Sequence, residues 1–260
     1  FIMKNIVTFI ALLFCFSTSF GQQKIAASEI IKDVANGKSV EISNATITGV
    51  LDFTFMDKAL PNLPKRKRWW NNGGSNTVEK QIESKISFIN CVFTDDVLAY
   101  IPHEKSGYTF IANFEDEVIF KDCTFENKAM FKYSDFERNT DFSNTKFKDD
   151  STFKYAEFKR DISFKNTLFD ESSTFKYADF NRFVSFENAV FTESGVFKYT
   201  EFNQGVSFRD VKFEEDLNIK YTKVSGEFDI TGMDVNFDID SKYTSINGKS
   251  FSKYLLKSKN

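Results

Sequence analysis

Histidine, tryptophan, proline and cysteine are all scarce in this chain of 260 residues, with one, two, three and three copies. The single histidine, His103, has no second imidazole to complete a common metal set, and beside Glu104 it reads as a solvent-facing loop residue. No GxSxG elbow, Walker loop, dinucleotide fingerprint or calcium-loop pattern occurs. Acidic groups such as Asp149 and Asp150, or Glu214, Glu215 and Asp216, fall on a mixed-charge surface where solvation is their ordinary role. These absences argue against an enzyme and imply no metal and no cofactor. The net charge of −3 is too small to point to a particular partner.

Long apolar runs are also missing. The longest, from Ile6 to Phe16, is shorter than the roughly 20 residues a membrane span needs. It follows Lys4 and precedes small residues, with Ser19 and Gly21 placed for cleavage before Gln22, so residues 1–21 are expected to be a secretory signal. Cys15 lies inside the run without the small residues of a lipoprotein site, so no lipid anchor is expected. The mature chain is therefore expected to be exported, as a periplasmic, cell-envelope-associated or secreted protein. Residues 22–39 hold one short helix, for which Ser28 is the candidate cap, Ile30, Ile31 and Val34 the apolar stripe, and Gly37 the left-handed stop. A helix this short must lie on something apolar.

What the chain has in excess is phenylalanine, 33 copies against 27% charged residues. From Phe120 to Phe213 the rings recur at steps that alternate five and six, which fits neither the two-residue period of a strand nor the 3.6-residue period of a helix. The triplet FKY recurs at Phe131, Phe153, Phe175 and Phe197, with IKY at Ile219, so the unit is twenty-two residues in four short segments. One unit is then one turn of a coil, and equivalent residues stack turn on turn at about 4.8 Å. The residue two before each ring shares its inward face, and it is small at most places, as at Ala112, Ser134, Thr145, Ser151, Ala178 and Gly195. Leucine-rich units lack four equivalent quarters, and helical repeats need a stripe these segments do not have.

The segments YADFN around Phe180 and YAEFK around Phe158 resemble the pentapeptide-repeat family, whose motif is five residues with a central leucine or phenylalanine and a small residue two before it. The resemblance covers roughly residues 40 to 250 apart from insertions, and departs by a sixth residue in every second segment. It implies an all-β fold, a right-handed quadrilateral β-helix, which the N-terminal helix would cap. Some members of that family mimic duplex DNA through a strongly acidic surface. Here residues 131–218 carry seventeen acidic and thirteen basic side chains, a weak bias, and no nucleic-acid-related role is expected.

Ile42, Ile47 and Phe53 start the rhythm, and Phe55 occupies the place of Tyr155 in a later turn. The rhythm breaks and resumes at Phe88 and Phe93, so excursions are expected at residues 57–82 and 94–108. Val224, Ile230, Val235 and Ile246 continue it weakly, and residues 251–260 form a tail. Tyr133, Tyr155, Tyr177, Tyr199 and Tyr221 share one phase and read as a structural stack. A second series, Asn44, Asn90, Asn144, Asn166 and Asn188 with Asp122 and Asp210, suits tight corners.

Cys91 and Cys123 both stand two before a ring in one quarter, and in adjacent turns their Cα atoms would lie about 5 Å apart, within disulfide range. A bridge and a pair of reduced small side chains both remain open. The remaining candidate is PNLPKRKRWWNNGG, where Lys65, Arg66, Lys67 and Arg68 adjoin Trp69 and Trp70. Such a cluster either folds back over the coil with its charges wet or meets lipid, glycan or protein. Two functions follow: an exported structural or protein-interaction module without catalysis, whose partner is a protein, or a module binding anionic lipid or polysaccharide through residues 65–70.

Overall fold

The computed structural model describes residues 22–63 and 76–254 of the chain. The residues from Val40 onward wind through eight turns, each passing four short strands, and equivalent strands of successive turns pair in parallel. Four parallel sheets result, and they form the sides of a quadrilateral β-helix with a short helix in front of it. In the third turn side I is Val118–Lys121, side II Thr124–Phe125, side III Ala129–Met130 and side IV Asp135–Phe136. Phe125 pairs in register with Phe147, Phe136 with Phe158, and Ala129 with Ser151, each twenty-two residues on.

The interior is a solid column of rings. Phe120, Phe142 and Phe164 stack at 5.5 and 5.3 Å, and Phe125, Phe147 and Phe169 at 4.8 and 5.3 Å. Rings from neighbouring sides meet edge to face, as Phe142 does with Phe153 at 75°. Each buried ring contributes about 1.5–3 kcal/mol by leaving water, and each aromatic pair about 0.5–1.5 kcal/mol more. The small residues two before the rings are buried as expected, Ser134, Thr145, Ser151 and Ala178 among them. Interior threonines there satisfy themselves across turns: Thr167 donates to the Phe142 carbonyl at 2.9 Å and Thr200 to that of Phe175 at 2.7 Å.

Sides I and II, like sides III and IV, meet at one residue in the left-handed conformation. On the first edge these are Asn44, Asn90, Asp122, Asn144, Asn166, Asn188 and Asp210, with φ between 53° and 57°. On the second they are Phe55 followed from the third turn by the tyrosines, at φ 53–63°. Left-handed backbone costs a residue with a Cβ about 1–2 kcal/mol, so each edge needs something in return. The asparagines hydrogen-bond one another through their side-chain amides, Asn166 to Asn144 at 2.8 Å and Asn188 to Asn166 at 3.1 Å. The tyrosines stack.

Helix α1 (Ala27–Ala35) closes the N-terminal end, burying Ala27, Ile30 and Val34 against the first turn. Its start differs from expectation: Ala26 is the capping residue and makes no side-chain bond, and Ser28 lies inside the first helical turn. The reason is the preceding strand, Gln23–Ala26, which pairs in parallel with Ala45–Thr48 and delivers the chain directly into the helix. The stop is as expected. Gly37, at φ 70°, donates to Val34 while Lys38 donates to Asp33, the two bonds of a Schellman ending.

Both excursions are shorter than the expected 57–82 and 94–108. Thr77–Ile82 is a strand of side IV, in register with Thr109–Phe114, and Ile82 takes the ring position. Val97–Leu98 belongs to side III, and the surplus is an antiparallel pair in which Tyr100–His103 runs against Tyr108–Phe114. Ala99 stands where later turns carry a ring, and Phe114 covers the gap by touching Phe53 at 5.4 Å edge to face. At the far end Asn247 and Gly248, both left-handed, turn Lys249–Ser250 back onto side IV, and Phe251 is buried beside Phe228.

Candidate functional site

A coil of this kind fixes outward side chains in columns, because every position repeats at strand spacing. The column of strongest character runs along the edge between sides III and IV. Tyr133, Tyr155, Tyr177, Tyr199, Tyr221 and Tyr243 stack at 4.6–4.8 Å, with ring planes 1–6° apart over the first five and 21° at the last step. Each follows a lysine whose ammonium lies close to the ring of its own turn, 4.8 Å from the centroid for Lys132, 5.2 Å for Lys154 and 5.1 Å for Lys176. Burial pushes the Lys154 ammonium below its ordinary range, and the charges of Lys132 and Lys176 on either side push the same way.

Side IV carries the opposite charge. Asp135, Glu157, Asp179 and Glu201 point outward from successive turns in register. Like charges stacked this closely repel. Burial, then Glu157, raises the pKa of Asp135, and burial, then Glu201, raises that of Asp179. Asp179 Oδ1 is shielded from solvent without a hydrogen-bond partner. Beyond this column, on the edge between sides IV and I, Arg138, Arg160 and Arg182 occupy equivalent places in three turns. On the edge between sides II and III, Glu171, Glu193 and Glu215 do the same, and burial together with Glu171 raises the pKa of Glu193.

The other candidates fall as follows. Lys65, Arg66, Lys67, Arg68, Trp69 and Trp70 lie outside the described residues, as does the signal segment 1–21. Cys91 and Cys123 are buried in adjacent turns of side II, and each is a free thiol. Their sulfurs lie within hydrogen-bond reach of main-chain carbonyls, Cys91 of Ile89 at 3.4 Å and Cys123 of Lys121 at 3.3 Å and of Phe88 at 3.4 Å. Burial raises the Cys123 pKa, whereas the Cys123 thiol beside Cys91 draws the Cys91 value down to about 7. His103 sits in the hairpin with Nδ1 2.9 Å from the Ser106 hydroxyl. Among the described residues no three histidine, cysteine or acidic side chains converge as metal ligands.

Sequence reasoning followed the inward rings and the two corner ladders and missed the lysine, carboxylate and arginine columns. The signal was available, since the lysine is the middle letter of every FKY and shares its twenty-two-residue period. Four parallel sheets closed around a ring-filled interior define the class: a β-solenoid. Within it, residues 112–157 and 175–223 match the family model of pentapeptide repeats, in nine copies, so a pentapeptide-repeat domain is present. No curated protein and no solved structure matches the chain.

Proposed function

We propose that this chain is an exported, non-catalytic solenoid that serves as an interaction scaffold, with a protein as its partner. We read its repeat as a variant in which five- and six-residue segments alternate. The observation that carries the reading is the division of labour along each turn: one set of positions fills the interior with rings, and the other presents columns of like side chains over three to six successive turns. Such a surface recognises a partner by matching charge along its length. The signal-like segment 1–21 supports export, and the basic and aromatic composition of residues 65–70 supports a second contact with anionic lipid or polysaccharide.

The test uses the full chain expressed in its source cell, followed by fractionation and cross-linking from outside. The expected result is export and a cross-linked protein whose capture is lost on charge reversal of one column. Retention in the cytoplasm overturns the exported role, and capture indifferent to every column overturns the scaffold role. Loss of vesicle or glycan binding on deletion of residues 64–75 alone supports the second contact.

A further inference from the structure

The lysine and tyrosine edge has more structure than a scaffold needs. Lys132, Lys154, Lys176, Lys198, Lys220 and Lys242 form one row, and of these only Lys220 is ion-paired among the described residues, with Asp240 at 3.8 Å. The exposed carboxylates of side IV find other partners: Lys223 pairs with Glu201 at 2.6 Å, and Asn181 donates to Glu157 at 2.8 Å. The row of ammonium groups is therefore largely uncompensated. Beside it stand the tyrosines, whose faces are consumed by stacking. Only ring edges and hydroxyls are left to meet a ligand, and from Tyr133 to Tyr243 these recur every 4.6–4.8 Å. A phenol is protonated at neutral pH, so each hydroxyl of the row is a proton donor as well as an acceptor.

We propose that this edge binds a linear anionic polysaccharide, laid along the coil axis with its carboxylates on the lysine row and its hydroxyl and ether oxygens on the tyrosine row. Three features select that class. The cationic row is narrow, because side III beside it presents Met130, Thr152, Thr174, Val196 and Asn218, which are uncharged, before Asp240 in the last turn, while side IV presents the carboxylates of Asp135, Glu157, Asp179 and Glu201 over four turns before Lys223. A broad anionic surface, whether a bilayer or a DNA duplex, would meet those carboxylates, whereas a single narrow chain does not. The row repeats once per turn for roughly 24 Å at strand spacing of about 4.8 Å, whereas a DNA duplex bears a phosphate about every 1.7 Å of its axis. Finally, exposed ring faces, which would stack on nucleobases, are absent along the row, and edge hydroxyls suit sugars. The inference goes beyond the protein-partner reading and does not depend on it.

The experiment measures binding of labelled oligogalacturonates of two to twelve units to the full chain by fluorescence anisotropy at low salt. Affinity is expected to climb with length until the oligomer spans the row and then level off, and to fall as salt rises. Replacing three charges of the row, Lys154→Gln with Lys176→Gln and Lys198→Gln, is expected to weaken binding at least tenfold. Removing the same number of charges across side IV, with Arg138→Gln, Arg160→Gln and Arg182→Gln, is expected to change it less than twofold. A Lys→Arg version of the first triple retains the charge and is expected to bind within about threefold of the parent, which separates loss of the site from loss of fold. Equal weakening by the lysine and arginine triples, no binding of the oligogalacturonates, or tighter binding of duplex DNA or phosphatidylserine vesicles at equal charge concentration would each overturn the proposal. A protein partner captured by the scaffold test leaves these outcomes unchanged, so the two readings fail separately.

Discussion

At the scale of the residue, the interior rings dominate. Phe158 stacks on Phe136 at 4.7 Å and on Phe180 at 5.0 Å and is buried. Phe158→Ala leaves a cavity and is expected to cost about 3–5 kcal/mol by denaturant melting. Asp179 works against the fold: its burial and the neighbouring Glu201 and Glu157 raise its pKa above the ordinary 3.8. A raised folded-state pKa means that the native state takes up the proton before the unfolded chain does. This group's penalty is therefore present at neutral pH, relaxes as pH falls through the raised value, and is gone below the unfolded value. Asp179→Asn is expected to be more stable than the parent at pH 7, with the advantage shrinking toward pH 4. A constant difference across that range would show that the carboxylate is not the cause.

At the scale of the element, the two left-handed edges solve one problem with different chemistry. Asn166 tolerates the conformation, donates to Asn144 and accepts from Asn188. Asn166→Ala loses the tolerance and both bonds, and is expected to cost about 1–3 kcal/mol at about 1 kcal/mol for each contribution, readable as a lowered melting temperature. The ring rhythm was legible because phenylalanine repeats in all four quarters. The strand Thr77–Ile82 was not, since Ile82 is its only buried residue and its partner, Thr109–Phe114, lies about thirty residues away. The helix start was misplaced for a similar reason. Ser28 is a good local cap, but the pairing of Gln23–Ala26 with Ala45–Thr48 outweighs it.

At the scale of the whole molecule, stability is close to one-dimensional, because each turn touches only its neighbours. Removing residues 247–260 takes away the returning strand and Phe251, which cover the last turn. Hydrogen exchange is expected to rise in residues 227–246 and to stay unchanged in residues 140–180; a uniform rise would contradict the turn-by-turn account. The same division governs the rings, so Phe158→Ala should speed exchange first in the turns around residues 136–180. The ends are where cooperation is weakest, and both are covered, by α1 at one and the Asn247-Gly248 hairpin at the other.

The order of residues alone determined the period, the four-sided winding and the inward places of the rings, because a side chain's facing depends only on its phase in the repeat. Tertiary structure alone decided where the inserted segments rejoin the coil, that Ala99 is compensated by Phe114, and that a lysine row lies between a mostly uncharged side and one with four stacked carboxylates. Those facts depend on which turns become neighbours across a corner, and spacing along one strand of sequence carries no information about distance around the tube.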